Sequence, residues 1–242
     1  MIDTVIKNFN ALHLTHCAQN LALILRQAEE KNLSCLQAID RLLDLEMEAR
    51  AQNRIDLRFK QSKLTEKTTI DQFDFAFHNS RQKQKNLILN LMDLDFIKQR
   101  KDIILIGNPG VGKSFIAKCL AYAATQAGIK TLYSSAMDML NHLIAAEADH
   151  SLLKKLQHYQ APDLLVCDEI GYLPLGRQGS NLFFQVISAR HEKKSTIITT
   201  NLPFADWGSI FDSTTVATAI ADRLVYNSEI LILEGKSYRK GH

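Results

Sequence analysis

The stretch DIILIGNPGVGKSFIAKCLAYAA, residues 102–124, decides the fold of this chain. It begins with an apolar run that predicts a buried strand and ends with apolar residues at helical spacing. Between them GNPGVGKS fits the pattern G-x-x-x-x-G-K-[ST], in the order strand, loop, helix that this pattern requires. A simple glycine turn would leave the lysine and the serine of this loop unexplained. The stretch therefore predicts a phosphate-binding loop.

The chemistry of such a loop assigns a role to each of its parts. Glycines let backbone N–H groups turn toward phosphates, and the N-terminus of the following helix adds its positive dipole end. Lys113 would reach the outer phosphates of a nucleotide, and Ser114 would bind Mg²⁺. The predicted nucleotide contacts are Gly107, Asn108, Pro109, Gly110, Val111, Gly112, Lys113, Ser114 and Phe115.

An acidic strand end is expected to complete the magnesium site. LLVCDE, residues 164–169, supplies one. Asp168 would bind Mg²⁺ directly or through water, and Glu169 would orient and polarise a water for attack on the γ-phosphate. Acidic strand ends and helix caps are common in isolation, but here the acidic pair accompanies a phosphate loop. Together the two motifs indicate hydrolysis of a nucleoside triphosphate.

Three more polar residues are candidates for the same site. Asn201 follows STIITT, and at the tip of a buried strand its side chain could share the attacking water with Glu169. The other interpretation is an asparagine that starts the NLP turn. Arg223 in ADRL and Arg239 in SYRK belong to no motif by themselves, and such arginines are usually solvated or salt-bridged.

Composition places the chain among ordinary globular proteins. Its 242 residues, 46% of them hydrophobic and 23% charged, suit one sizeable α/β core with an appendage. The net charge of +3 permits acidic partners without demanding them. The four cysteines form no C-x-x-C pair, so neither a zinc site nor a disulfide framework is indicated. Because no apolar run reaches the roughly 18 residues of a membrane span and the N-terminus lacks signal-peptide features, we expect a cytoplasmic protein with no membrane partner.

The chain divides into two predicted domains. Residues 1–65 contain no glycine or proline and show helical periodicity, which predicts a small N-terminal helical domain. In residues 66–242 strands that are apolar on both faces alternate with helices, which predicts one α/β domain with a parallel sheet covered by helices on both faces. The predicted strands are DIILIG, IKTLYSS, PDLLVCDE, STIITTN and SEILILEG.

Basic side chains form two candidate clusters for contact with DNA. In the first, arginines recur every four residues and so share one helix face; the second is a short run near residue 81. Such clusters neutralise phosphates without reading bases, but an ordinary solvated helix face has the same pattern. The candidate DNA contacts are Arg50, Arg54, Arg58, Lys60, Arg81, Lys83 and Lys85.

Alternating aromatic residues precede the phosphate loop. Phe73, Phe75 and Phe77 in DQFDFAF either pack against the edge of the domain or lie beside the base of a nucleotide, and packing is the favoured interpretation.

The succession of motifs resembles the IstB-like ATPases, the transposition helper proteins of insertion sequences. These belong to the AAA+ class together with the DnaC-type helicase loaders. The resemblance is carried by GNPGVGKS, LLVCDEIGYLPL, NLFFQVISARHEKKSTIITTNLPFADWG and ADRLVYNSEILILEGKSYR, and it covers the whole catalytic domain. It implies an AAA+ P-loop NTPase fold with no large C-terminal lid and with a small N-terminal helical domain, residues 1–65, that binds DNA or a partner.

The resemblance also implies a catalytic set. Besides Glu169, it makes Asn201 the sensor that positions water, Arg223 the arginine finger that reaches into a neighbouring subunit's site, and Arg239 the second sensor, which touches the nucleotide in its own subunit. An arginine supplied in trans stabilises the transition state only when subunits stack. A homo-oligomer with ATP at its subunit interfaces is therefore implied.

The function that the resemblance implies is that of a transposition helper. It would be an ATPase, with ATP and Mg²⁺ as cofactors, that oligomerises on double-stranded target DNA and recruits or stimulates a cognate transposase. The runner-up is a DnaC-like helicase loader in DNA replication, whose N-terminal helices hold a helicase. A stand-alone enzyme such as a small-molecule kinase is a third hypothesis, for which the sequence offers no identifiable acceptor site.

Overall fold

The structure is a computed structural model, and it describes residues 1–238. Within them the chain forms two compact units, Met1–Leu57 and a second unit that begins at Arg58. The boundary lies inside a helix, earlier than the predicted residue 65. The reason is that the last turns of this helix pack on the second unit, where Phe59 meets Tyr122 edge to face at a centroid distance of 5.8 Å.

The first unit is helical, as the absence of glycine and proline predicted. Helices α1 (Ile2–Ala11), α2 (Thr15–Glu30) and most of α3 (Cys35–Ser62) enclose a small core that includes Cys17 and Leu21. Ser34 and Gln37 form a capping box at the start of α3, in which each side chain bonds the other residue's backbone N–H at 2.8 and 3.3 Å.

The second unit is built on a five-stranded parallel sheet of order β2-β3-β4-β1-β5. All five predicted strands are present, and the predicted parallel α/β fold is confirmed. The strands are β1 (Asp102–Gly107), β2 (Thr131–Ser135), β3 (Leu164–Ile170), β4 (Ser195–Thr200) and β5 (Ser228–Leu233).

Helices cover both faces of this sheet. Successive strand residues alternate between two apolar clusters, so that Ile103 and Leu105 join one cluster and Ile104 joins the other. The helices are α4 (Asn79–Leu91), α5 (Asp95–Lys98), α6 (Lys113–Gln126), α7 (Ala136–Ala148), α8 (Leu152–Gln160), α9 (Gly176–Arg190) and α10 (Thr214–Val225), with 3₁₀ turns at Ile70–Gln72 and Phe204–Ser209. Within residues 1–238 no helical lid follows β5.

Parallel pairing brings the carboxyl ends of all five strands to one edge of the sheet. The phosphate loop leaves β1 at this edge, and Asp168 and Asn201 lie at the ends of β3 and β4, two strands on the same side of β1. The described helices include none that is long and apolar enough to cross a membrane.

Candidate nucleotide-binding site

Lys113 is held over the phosphate loop. It is the first residue of α6 and only 6% exposed, and its ammonium group donates to the carbonyl oxygens of Gly107 and Asn108 at 2.6 and 2.9 Å. Both acceptors belong to the loop itself. The amine therefore lies above the turn whose backbone N–H groups would face a phosphate.

Glycine is required in this loop by close packing as well as by backbone conformation. Gly112 has φ +109°, and a Cβ built there would lie 2.6 Å from Cε2 of Phe73. A Cβ at Gly107 would lie 2.0 Å from the carbonyl oxygen of Leu233 in the neighbouring β5. A side chain at Gly112 would displace Phe73, and one at Gly107 would displace the backbone of β5.

Asp168 is surrounded by hydroxyl groups. Its carboxylate accepts hydrogen bonds from Ser114 Oγ at 2.9 Å, from the phenol of Tyr133 and from the hydroxyl of Thr199. Burial and the nearby Asp168 carboxylate raise the pKa of Tyr133, so the phenol remains a donor. Three donors fix an acid that is only 6% exposed.

Tyr133 and Thr199 were not predicted from the sequence. Each lies on a strand beside β3, Tyr133 on β2 and Thr199 on β4, and each reaches Asp168 across more than 30 residues of chain. The available signal was a hydroxyl-bearing residue on each neighbouring strand, and it becomes specific only when the strand order is known.

Glu169 has a backbone conformation unlike that of its neighbour. Its φ is +64°, in the left-handed region, and the pairing of β3 with β4 shifts register between Cys167 and Ile170. The N–H of Glu169 donates to Thr199 Oγ1 at 2.8 Å, while its side chain is exposed. The irregularity thus turns one carboxylate inward and the next one outward at the same strand end.

Ser114 and Asp168 fit a magnesium site of the type that the sequence predicts. The Ser114 hydroxyl is 2.9 Å from Asp168 Oδ1, so both oxygens can face one cation. In the described part of the chain no group of three His, Cys, Asp or Glu side chains could hold a metal by itself. A pair of protein oxygens suits Mg²⁺, which usually keeps waters and takes further ligands from substrate phosphates.

Asn201 carries a buried polar atom with no protein partner. Among residues 1–238, its Oδ1 accepts no hydrogen bond, and a Cβ built on Gly171 would lie 3.0 Å from it. The atom thus faces the backbone two residues beyond Glu169. A buried acceptor of this kind can bind an ordered water. Asn201 does not line the pocket next to Lys113.

A pocket of about 240 Å³ adjoins the phosphate loop. Phe73 forms part of its wall and stacks on Phe115 at a centroid distance of 5.8 Å and an interplanar angle of 27°. Phe73 is also 6% exposed and belongs to an apolar core cluster. Phe73 therefore packs in the core, as the favoured interpretation has it, and also lies in the wall of the pocket. The pocket is lined by Phe73, Arg81, Lys113, Ser114, Glu169 and Tyr238, among others.

Arg81 corrects one expectation from the sequence. The predicted basic cluster placed it on a DNA-facing surface, yet it is only 3% exposed and lies in the pocket wall. Its guanidinium donates to the carbonyl oxygens of Val111 and Asp74 at 3.1 and 3.0 Å and lies 4.5 Å from the ring centroid of Phe73. Burial lowers the pKa of Arg81, against the opposing influence of Asp74 and Tyr238.

The remaining basic candidates are divided between intramolecular contacts and solvent. Arg50 pairs with Glu46 at 2.8 Å, and Arg58 donates to the carbonyl oxygen of Gly128 at 3.1 Å. These contacts give the two arginines structural roles in their own units. Arg50 remains exposed despite its ion pair, and the side chains of Arg54, Lys60, Lys83 and Lys85 are exposed as well.

Arg223 lies apart from the pocket of its own chain. On α10 it donates to the carbonyl oxygen of Ala219 at 2.8 Å, and its guanidinium lies 4.6 Å from the ring centroid of Phe184. The structure therefore does not bring it to Lys113 or Glu169 within one chain. Arg239, the other predicted arginine, lies outside the described residues.

Comparison with known sequences gives concordant matches. The family model described as IstB-like ATP binding protein matches residues 7–242. A protein named as the ATP-binding protein of insertion sequence IS232 of Bacillus thuringiensis subsp. berliner is 35% identical, over 96% of this chain and 92% of that protein. The corresponding protein of IS21 of Pseudomonas aeruginosa is 36% identical, over 94% of this chain and 85% of that protein.

Solved structures share the fold at lower identity. The DnaC helicase loader superposes with a TM-score of 0.59 at 23% identity, covering 69% of this chain and 96% of that one. AMPPCP-bound DnaA from Aquifex aeolicus gives a TM-score of 0.60 at 17% identity, covering 73% of this chain and 53% of that one. These likenesses concern the fold alone.

Proposed function

The chain belongs to the family of IstB-like ATP-binding proteins, and we propose that it is an ATP-hydrolysing transposition helper that oligomerises on double-stranded DNA and recruits or stimulates a transposase. The observation that carries the hydrolytic part is the placement of Lys113, Ser114, Asp168 and Glu169 at one sheet edge. The transposition part is supported by relatives named for the insertion sequences IS232 and IS21.

Nucleotide binding begins at the phosphate loop. The backbone N–H groups of residues 107–114, all but Pro109 carrying one, and the N-terminus of α6 provide positive potential for the phosphates. Lys113 already lies over the loop through its bonds to two carbonyl oxygens, and phosphate oxygens would take the place of those acceptors. When bound, Mg²⁺ would neutralise charge on the phosphates, held by Ser114 and Asp168.

Glu169 is the residue best placed to act as the base. Its carboxylate is exposed and lines the pocket beside Lys113, while Asp168 is committed to three hydroxyl donors. Glu169 would orient a water toward the γ-phosphate and accept its proton as the water oxygen bonds to phosphorus and the bond to the leaving ADP oxygen breaks. Asn201 would hold the same water through its unpartnered Oδ1.

Arg223 would act across a subunit interface. It lies away from its own chain's pocket, which is compatible with donation to a neighbouring site. A guanidinium that reaches the phosphates only in the assembled state makes hydrolysis depend on assembly. Hydrolysis would then release the oligomer from DNA, because contacts to the γ-phosphate favour the assembled state. Arg239 would contact the nucleotide bound to its own subunit. We propose a cytoplasmic location for the protein.

The test is nucleotide-dependent binding to DNA. Wild type, Glu169→Gln and Lys113→Ala are compared on a random duplex of about 60 base pairs, long enough for several subunits to neutralise phosphates. Each is measured with Mg²⁺ and ATP, ADP or no nucleotide. We expect tight binding with ATP, longer residence for Glu169→Gln, and weak binding for Lys113→Ala under every condition. Binding that ignores the nucleotide, or is confined to single strands, would contradict the proposal and favour the helicase loader.

A further inference from the structure

The segment that follows β5 reaches the phosphate loop. Because β5 pairs with β1 in a parallel sheet, its carboxyl end lies at the same edge as the loop that follows β1. Residues 234–238 continue from this point, and we call them the C-terminal strap. Tyr238 of the strap lines the nucleotide pocket together with Lys113. The strap therefore forms part of the pocket wall, and none of the roles assigned above uses it.

The base of the strap is fixed to the start of α4. The N–H of Glu234 donates to Ser80 Oγ at 3.0 Å. Gly235 packs on the ring of His78, the N-cap residue of α4, since a Cβ built on the glycine would lie 2.7 Å from Cγ of that ring. The strap is thus held by the same helix that carries Arg81.

The end of the strap contacts the phosphate loop directly. The N–H of Tyr238 donates to the carbonyl oxygen of Gly110 at 3.0 Å. A Cβ built on Gly110 would overlap Oγ of Ser237, so the loop and the strap are in close contact. Movement of the strap away from the pocket would therefore break a hydrogen bond to the loop.

Arg81 connects the strap with the loop from a second direction. Its guanidinium lies 5.0 Å from the ring centroid of Tyr238 and 4.9 Å from that of Phe77, and the two rings meet edge to face at 4.8 Å. A cation within about 6 Å of a ring centroid is attracted to the ring. Nε of Arg81 donates to the carbonyl oxygen of Val111 at 3.1 Å. Arg81 therefore holds the ring of Tyr238 and the loop at the same time.

Two successive peptide groups of the loop are anchored in this way. The strap binds the carbonyl oxygen of Gly110, and Arg81 binds that of Val111. Both peptide bonds are trans, so in each of them the N–H points away from the anchored carbonyl oxygen. The N–H groups of Val111 and Gly112 are thereby held in fixed directions. A loop with fixed N–H groups can bind phosphate without reordering its backbone.

We propose that the C-terminal strap closes the nucleotide pocket and that Arg81 is the positioning residue that couples the strap to the phosphate loop. The inference rests on the proposed function and deepens it, because it assigns control of nucleotide exchange to residues outside the set that binds phosphate and Mg²⁺. A segment that closes over a ligand must open before the ligand leaves. Opening of the strap therefore limits the release of ADP.

The experiment measures how fast ADP leaves the full-length protein. Wild type, Tyr238→Ala and Arg81→Met are loaded with Mg²⁺ and N-methylanthraniloyl-ADP, a fluorescent nucleotide, and are mixed with excess unlabelled ADP in a stopped-flow instrument. We expect release to be about tenfold faster from each variant, because each loses a buried cation–π contact that holds the strap. Tyr238→Phe keeps the ring and should restore slow release. Tyr226→Ala is the matched control, since Tyr226 is an exposed tyrosine outside the strap.

The rate of association separates closure of the pocket from direct contact with the nucleotide. A strap that closes the pocket slows entry as well as release, so the labelled ADP should also bind faster to Tyr238→Ala than to wild type. Faster release with unchanged association would indicate that Tyr238 only contacts the nucleotide, and would overturn the closure.

A double substitution tests whether Arg81 acts through the strap. If it does, Arg81→Met/Tyr238→Ala should release ADP at about the rate of the faster single variant, because both changes remove the same coupling. Effects that multiply would mean independent contacts and would overturn the role of Arg81. A thermal melt of each variant confirms that it is folded. Tyr238→Ala, whose side chain is half-buried, tests the strap even where Arg81→Met fails to fold.

The outcomes also separate the strap from the proposed function. If wild type binds the labelled nucleotide and Tyr238→Ala releases it at the rate of wild type, the strap inference is overturned while the proposed function stands. Equal acceleration by Tyr226→Ala would overturn the inference as well. If wild type neither binds the labelled nucleotide nor hydrolyses ATP, the proposed function itself fails.

Discussion

Polar groups at the two edges of the parallel sheet differ in how fully they are hydrogen-bonded. At the amino edge Arg190, 1% exposed, donates to Thr196 Oγ1 and to the carbonyl oxygens of Tyr159, Gln160, Pro162 and Ser195 at 2.5–3.2 Å. At the carboxyl edge Glu169 has left-handed backbone geometry with an exposed carboxylate, and Asn201 Oδ1 lacks a partner within residues 1–238.

This difference in hydrogen bonding indicates that one edge contributes mainly to stability and the other mainly to function. A buried group that is fully paired stabilises the fold, whereas unpaired or strained polar groups cost stability and remain available for a ligand. We therefore expect substitutions at the amino edge to affect mainly unfolding, and substitutions at the carboxyl edge to affect mainly hydrolysis. The following predictions test this division, from the largest expected effect to the smallest.

Glu169→Gln should decrease ATP hydrolysis by about 10²–10⁴-fold, because the amide cannot accept the proton of the attacking water. The exposed side chain makes little contribution to packing, so the free energy of unfolding should change by less than about 0.5 kcal/mol. Phosphate release and urea unfolding measure the two quantities. Glu192→Gln is the control, since Glu192 is also exposed with φ +58°. Normal hydrolysis by Glu169→Gln would refute the assigned base.

Arg190→Ala should lower the free energy of unfolding by about 3–5 kcal/mol, because it leaves buried carbonyl oxygens without donors. Urea denaturation measures the loss. Arg177→Ala on the same helix is the matched control, because Arg177 is exposed and should change stability by less than about 0.5 kcal/mol. If the two substitutions lowered the free energy of unfolding equally, the stabilising role assigned to the amino edge would be wrong.

Asp102→Asn should remove a pH dependence of stability. Burial raises the pKa of Asp102 from 3.8 to about 7, so the folded state keeps a proton that the unfolded chain has lost. The resulting stability is present below the unfolded pKa and is lost as pH rises toward the folded one.

For wild type, the free energy of unfolding should therefore fall on the order of 2 kcal/mol between about pH 4 and pH 8 through this group. Asn keeps an acceptor for the Thr196 N–H, which donates to Asp102 Oδ1 at 2.6 Å. Urea unfolding across this pH range measures the effect, with exposed Asp222→Asn as control. Identical pH profiles for wild type and Asp102→Asn would contradict the assignment.

Thr199→Val should have the smallest effect and should act on both properties. It removes the hydroxyl that donates to Asp168 and accepts from the Glu169 N–H. We expect kcat to fall about tenfold and the free energy of unfolding to fall by about 1 kcal/mol. Thr199→Ser retains the hydroxyl and should retain both properties. A defect in Thr199→Ser equal to that in Thr199→Val would mean that packing of the methyl group is what matters.

Local patterns were sufficient for much of this protein. The five strands, and the meeting of the loop at residues 107–114 with Asp168 and Glu169 at one sheet edge, were predictable because glycine spacing, apolar runs and acidic strand ends are properties of neighbouring residues. The chemical roles of these residues stay predictions. The relation to IstB-like proteins likewise followed from contiguous motifs. The placement of Arg81 was wrong, because helical spacing predicts which residues share a face and does not predict what packs against that face.

Only the tertiary structure decided which ordinary polar residues complete the site. Arg81 reaches Val111 across 30 residues, Thr199 reaches Asp168 across 31, and Tyr133 reaches it across 35. In the sequence each resembles a surface arginine or a strand hydroxyl. The role of each residue depends on the order of strands in the sheet and on which groups are buried together. Because their hydrogen-bond partners are distant along the chain, no local sequence pattern marks these residues.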